Sequence, residues 1–153
     1  MSEIRSAISH KLQDELVLKL KSDAELANID IFTEKTKDIE TEIDNSLGSL
    51  KGICMIVITP RLKASKPNVP GPMFDNTTVV VRVIENVMIN QDSGTKMPCL
   101  FVAELIATRL HHFTRTDGQA CYVDEIVLVP DETNLIYDVI CKTIIGLRQR
   151  STT

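Results

Sequence analysis

A proline-rich stretch between two apolar runs is the feature that most limits how this chain can fold. Residues 60–75, PRLKASKPNVPGPMFD, contain four of the six prolines and three basic residues before the first acid. Proline fixes φ and has no N–H to donate, so this stretch cannot become a central strand. The flanking runs 53–59 and 77–84 are rich in the β-branched residues typical of strands. We therefore expect a long β-hairpin whose tip is a stiff, basic loop.

A stiff loop of this length is suited to contact with another molecule. Ordering it against a partner costs less conformational entropy than ordering a Gly/Ser loop, because proline has already removed much of the freedom of the unfolded chain. The loop therefore indicates a protein that binds another protein.

Apolar periodicity predicts the remaining elements. Helical spacing favours an amphipathic helix over residues 1–20 with Ser2 as its N-cap, a short acidic helix over 39–50, and the main packing helix over 98–113. Short β-branched or alternating runs predict strands at 29–33, 125–129 and 135–145, the last two joined as a second hairpin.

These elements predict an α+β fold, with an antiparallel or mixed sheet and helices packed on one face. The run 53–59 is apolar on both alternating sides, which places it in the middle of a covered sheet. A chain of 153 residues is long enough for one domain with a substantial core. We expect that domain to span 1–147, with 60–76 as a projecting loop and 148–153 as a polar tail.

Charge is unevenly distributed along the chain, whose net charge is −4. Residues 1–52 carry 11 acids and 7 bases, residues 53–116 carry 4 acids and 7 bases, and residues 117–153 carry 6 acids and 3 bases. This division suits head-to-tail contact between identical subunits, in which different faces meet around a ring. The alternative, that the charges are solvated surface only, stays open at this point.

The composition favours a soluble protein. No apolar run approaches the ~20 residues that a membrane span needs. The N-terminal stretch has acids within a helical pattern, unlike a secretory signal. We therefore expect synthesis in the cytoplasm and no membrane contact.

The residue pair His111–His112 is the strongest candidate for catalysis, because histidine titrates near neutral pH and binds metals. With Glu104, the pair defines an alternative function as a small metal-dependent enzyme. Adjacent helical residues point about 100° apart, so two histidines at a helix C-terminus are the simpler interpretation. The segment Gly94-Thr95-Lys96 lacks the first glycine of a phosphate-binding loop, and Gly94 is expected to supply a positive φ.

The cysteines predict neither a zinc site nor a disulfide framework. All four are single, without a CxxC pair or a histidine at ligand spacing. Cys54 and Cys141 lie inside apolar strand-like runs, and both are expected to be free, buried hydrophobes. The sequence therefore predicts no catalytic residue, metal or cofactor.

The order of the segments resembles a known family. The stretch GICMIVITPRLKASKPNVPGPMFDNTTVVVRVIENVMIN, the helix ending in LHHF and the final hairpin together resemble the tail terminator, or tail-completion, proteins of phages and prophages. The most similar segments are PNVPGP with Phe74-Asp75, and the later Val83-Ile84-Glu85-Asn86. The resemblance covers residues 1–146.

The resemblance implies a structural virion protein of the tail or neck, synthesised in the host cytoplasm. Its members form six-membered rings that cap the tail tube and join it to the head–neck connector. The implied partners are other copies of this chain, the tube protein and the connector protein, with DNA contact only inside the ring lumen. A head-completion or connector ring protein of the neck is the nearest alternative.

No catalytic motif is transferred by this resemblance, and only contact roles are implied. The residues expected at subunit or partner interfaces are Arg61, Lys63, Lys66, Pro67, Pro70, Pro72, Phe74, Arg82 and Glu85.

Overall fold

Five strands form one mixed sheet in the computed structural model, which describes residues 7–48, 51–65, 73–92 and 94–146. The elements in chain order are α1 (Ile8–Lys21), β1 (Asp30–Thr33), α2 (Ile39–Gly48), β2 (Ile53–Val57), β3 (Met73–Glu85), α3 (Val87–Asp92), α4 (Cys99–Leu110), β4 (Tyr122–Val129) and β5 (Leu135–Gly146). The strand order across the sheet is β1-β2-β3-β5-β4. The predicted α+β class is confirmed.

The central hairpin forms as predicted. β2 and β3 pair antiparallel, with Ile53 opposite Glu85 and Val57 opposite Val81. β2 lies between β1 and β3, and four of its five side chains are buried, so its predicted central position is also confirmed. The alternation of β3 sends Val79, Val81 and Val83 into the main core with no exposed surface.

The two long helices cover one side of the sheet, called here the helix face. α1 buries Leu12, Leu16 and Leu20 at helical spacing, and these side chains join the main core cluster with residues of α4 and of the sheet. α1 begins after Ala7, and the predicted N-cap Ser2 lies outside the described residues. None of the helices in the described ranges is long and apolar enough to cross a membrane.

Helix α2 lies on the opposite side of the sheet, so the prediction that the helices pack on one face is wrong for this element. β1 pairs with β2 in parallel, and parallel neighbours need a connection that crosses over the sheet. α2 is that connection. Its Leu47 packs with Cys54 and Ile84, which point away from the main core and form a second, smaller cluster.

The region between β3 and β4 differs from the prediction at its ends. A six-residue helix, α3, follows β3 in a stretch for which no element was predicted. Pro98 is the N-cap of α4, with φ −60° and ψ 149°, and α4 ends at Leu110, three residues earlier than predicted. The second hairpin, β4 with β5, is confirmed, and its register shifts at a bulge between Val123 and Glu125. The predicted polar tail lies outside the described residues.

Candidate functional site

The sheet side opposite α1 and α4, called here the open face, carries apolar side chains that remain partly exposed. Ile58, Val80 and Ile140 are neither fully buried nor members of either core cluster, and Ile144 is similar but lies beyond Lys142 on β5. Val80 and Ile140 are directly opposite each other on β3 and β5, and the N–H of Ile58 donates to the carbonyl of Val80 at 2.9 Å. The open face therefore presents a row of β-branched side chains in its middle.

An ion pair separates this apolar row from the end of the open face that α2 covers. Arg82 Nε and Nη2 donate to the two carboxylate oxygens of Asp138 at 2.8 and 3.0 Å, across the β3–β5 pair. This hydrogen bond raises the pKa of the Arg82 guanidinium. The charge of Arg82 is already matched in this bidentate pair, which holds the side chain in one position on the face. Its predicted role in partner contact stays a prediction.

On the other side of the apolar row, three basic side chains, Arg61, Lys63 and Lys142, form what is called here the basic patch. Arg61 and Lys142 are both register partners of Thr78, and Lys142 Nζ donates to Thr78 Oγ1 at 2.7 Å. Lys63 is two residues after Arg61, which alternation places on the same side. No ion pair to these three side chains occurs among the described residues. The patch therefore offers unmatched positive charge.

The first part of the predicted loop, residues 60–65, is attached to β3 and is called here the arm. The N–H of Arg61 donates to the carbonyl of Thr78 at 2.8 Å, and the N–H of Thr78 donates back at 2.9 Å. Further out, the N–H of Asn76 donates to the carbonyl of Lys63 at 3.0 Å. These bonds extend the β2–β3 ladder beyond β2, so the arm holds Arg61 and Lys63 in fixed positions.

The last part of the predicted loop is strand. β3 begins at Met73, and Phe74 pairs with Ile145 of β5 and packs against the main core. The prediction that 60–76 project as a single loop is therefore wrong for 73–76, because pairing with β5 extends β3. Phe74 is partly buried by this packing, and Lys66, Pro67, Pro70 and Pro72 lie outside the described residues.

Glu85 is not a surface contact, and its predicted interface role is wrong. Only 2 % of the residue is exposed. Its carboxylate accepts the N–H of Cys99 at 2.9 Å and the side-chain amide of Asn90 at 2.6 Å. The carboxylate thus satisfies a free N–H in the first turn of α4 and ties that helix to β3.

The loop containing Gly94 is organised by Asn90 and not by a phosphate-type turn. The side-chain oxygen of Asn90 accepts from Thr95 Oγ1 at 2.8 Å and from the N–H of Lys96 at 3.1 Å. The predicted positive φ at Gly94 is wrong, since the positive-φ residues of this loop include Lys96 but not Gly94. Gly94 is needed because a Cβ there would lie 2.2 Å from the carbonyl oxygen of Lys51.

The two histidines lie in the turn that follows α4. Their ring centroids are 4.3 Å apart in an edge arrangement, so they do not diverge as two helical residues would. His111 is the C-cap, its Nδ1 accepts the N–H of Val123 at 3.0 Å, and His112 adopts φ 64°. No hydrogen bond or ion pair connects Glu104 to either ring within the described residues, and no group of three metal-ligating side chains was found there. The contacts of His111 attach the end of α4 to the start of β4.

Cys54 and Cys141 are free and buried, as predicted, and so are Cys99 and Cys121. Burial raises the pKa of the thiols of Cys54, Cys99 and Cys141 to about 12, and it also raises the pKa of Cys121. A raised thiol pKa leaves little of the reactive thiolate at neutral pH.

We therefore expect the thiols of the native protein to react with Ellman's reagent at least about 100-fold more slowly than a free thiol does. After unfolding in concentrated guanidinium chloride, four thiols per chain should react within minutes. The measurement is the absorbance of the released thiolate with time. Fast stoichiometric labelling of the folded chain would contradict the burial described above.

Comparison with known proteins assigns no family to the chain: no protein-family model matches it, and no curated protein matches it. The fold and its surfaces are therefore the basis for inferring function. Sequence reasoning identified Arg61 and Lys63 as contact candidates but missed Val80, Ile140 and Lys142. The signal for Val80 and Ile140 was present, because strands that are apolar on both alternating sides have a second apolar face to cover, whereas Lys142 is placed beside them only by the strand register.

Proposed function

We propose that the protein is a structural assembly subunit of the tail terminator type, which forms a ring of six, caps a phage tail tube and joins it to the head–neck connector. The observation that supports it best is the open face, where partly exposed apolar residues lie beside the unmatched basic patch. Contiguous apolar surface rimmed by polar residues is typical of protein–protein contact sites.

The arrangement of the fold also favours an assembly role. The arm is hydrogen-bonded to β3, so contacts made through Arg61 and Lys63 would cost little additional ordering. The main core between the helix face, α1 and α4 is separate from the open face. A partner could therefore bind the open face without disturbing the packing that holds the domain together.

The mass of the purified protein, alone and mixed with tail tube protein, tests the proposal. We expect a species of six chains, each of 17.1 kDa, and electron micrographs in which it occupies the ends of the tubes. A protein that stays monomeric and never joins tube ends would contradict the proposal. Binding to connector rings without binding to tubes would instead favour the alternative position in the neck.

Replacing residues 66–72 with a Gly/Ser linker of equal length tests the role of the proline-rich segment. We expect the fold to be retained, since the hydrogen bonds of the arm are outside the replaced segment, and tube capping to fall at least about tenfold because a flexible linker must first be ordered. Capping is measured by counting occupied tube ends, with Pro130→Ala as the control for loss of proline elsewhere. Normal capping by the linker variant would argue against a role for this segment.

A further inference from the structure

The exposed side of α2 is negatively charged, opposite in sign to the basic patch. Glu40, Glu42 and Asp44 are all exposed on this helix, which contains no basic residue. None of the three forms an ion pair with any other described residue. The chain therefore carries an unmatched acidic helix and an unmatched basic patch in separate places.

The two surfaces cannot neutralise each other within one copy. α2 covers the end of the open face formed by Cys54 and Ile84. The basic patch flanks the other end, beside the register position Thr78, with the Arg82–Asp138 pair and the Val80–Ile140 pair between them. The side of α2 that faces its own sheet carries Ile43 and Leu47, while its acids are exposed. The acids are therefore available to a second molecule.

We propose that the open face is a self-association surface on which the acidic helix α2 of a second copy docks, with Glu40 and Asp44 of that copy, four residues apart and so on one side of the helix, against the basic patch. This inference rests on the proposed function in that it takes assembly of identical chains as given, and it specifies the contact that makes the assembly.

The apolar row and the basic patch contribute differently to such a contact. Burial of Ile58, Val80 and Ile140 under the docked helix removes partly exposed apolar surface from water. The charges fix which element docks and in which orientation, since like charges placed together across an interface are strongly unfavourable. Each copy offers one docking helix and one receiving face, so the contact joins two different surfaces and propagates from copy to copy.

Other charges on the open face do not disturb this match. Asp138 is already paired with Arg82. Glu125 lies at the far edge of the sheet on β4, the register partner of Ile140, and so flanks the apolar row on the side away from the arm. Asp75 also lies beside the patch, where its carboxylate accepts the N–H of Ser65 at the end of the arm at 2.7 Å. With three bases and this one acid, the Thr78 end of the face keeps a net positive charge.

Charge reversal on each surface separately, followed by mixing, tests the contact. One variant carries Glu40→Lys and Asp44→Lys, and the other carries Arg61→Glu, Lys63→Glu and Lys142→Glu. Each alone should associate at least about 100-fold more weakly than the wild type, because like charges then meet at the contact. An equimolar mixture should regain association, since each reversed helix now matches a reversed face.

Light scattering and native mass spectrometry measure the masses, and a thermal melt of each variant confirms that it folds. The matched control, Lys11→Glu with Lys21→Glu on the exposed side of α1, should associate like the wild type. High salt should weaken the wild-type contact and lessen the difference between wild type and variants.

Three results would overturn this inference: a wild type that is monomeric at all concentrations, full association of either reversed variant alone, or a mixture that fails to associate. Association of the wild type that neither reversal weakens would leave a ring possible through another surface. Rescue by mixing without capping of tail tubes would leave the contact standing and would contradict only the proposed tail terminator function.

Discussion

Replacing Gly94 with alanine should destabilise the protein by about 3 kcal/mol, in the range of severe single substitutions. The new Cβ would lie 2.2 Å from the carbonyl oxygen of Lys51 and 2.7 Å from the Cα of Asn90. Both are backbone atoms, which cannot rotate away as a flexible side chain would. Relief requires a shift of the loop, and that shift would break the hydrogen bonds through which Asn90 holds Glu85 and the start of α4.

Urea unfolding followed by circular dichroism measures this effect, and Gly48→Ala is the matched control. A Cβ at Gly48, on α2, meets no atom within 4 Å. Alanine has the better helix propensity, so the control should gain about 0.5 kcal/mol. If both substitutions changed the free energy of unfolding equally, the backbone atoms of Lys51 and Asn90 would not lie as close to Gly94 as described.

Arg115→Met should lower the free energy of unfolding by about 3 kcal/mol, because it removes a buried charged side chain that makes several hydrogen bonds. The residue is only 6 % exposed. Its Nη1 donates to the carbonyl of Ile144 at 2.7 Å and to Thr143 Oγ1 at 3.1 Å, while Nη2 donates to Asp117. Its Nε has no hydrogen-bond partner and lies 3.8 Å from the carboxylate of Glu15 on α1.

The same substitution should lower the midpoint of thermal unfolding by roughly 6–12 °C, from the usual 2–4 °C per kcal/mol for a domain of this size. Lys11→Met, on the exposed side of α1, should change stability by less than about 0.5 kcal/mol. A scan that places both variants at the wild-type midpoint would show that Arg115 holds no essential contact between α1, the turn before β4, and β5.

Much of the fold is readable from local patterns, because helix and strand periods identify which residues face a core. The Val79, Val81 and Val83 alternation and the spacing of Leu12 and Leu16 are of this kind. A period does not reveal which side of a sheet a helix covers, so the position of α2 was missed. That position follows from the parallel pairing of β1 with β2, which is a long-range property.

The candidate site divides in the same way. Arg61 and Lys63 stand out in the sequence because proline and the lack of acids mark their segment. Lys142 joins them only through the strand register, which brings together residues about 80 positions apart. Glu85 was misassigned because a charged residue at a strand end is usually exposed. Its burial depends on the N–H of Cys99 at the start of α4, a contact that local sequence patterns do not reveal.

The stability of this domain is divided between two cores of unequal size, and the smaller one holds α2. Among the described residues, that cluster has three buried members, Leu47, Cys54 and Ile84, whereas the main cluster between the sheet, α1 and α4 is several times larger. Elements with few buried contacts open at lower free-energy cost than the rest of the molecule. We therefore expect helix α2 to open at a lower free-energy cost than α1 or α4, so that its local ordering and its capture by another molecule share a single equilibrium.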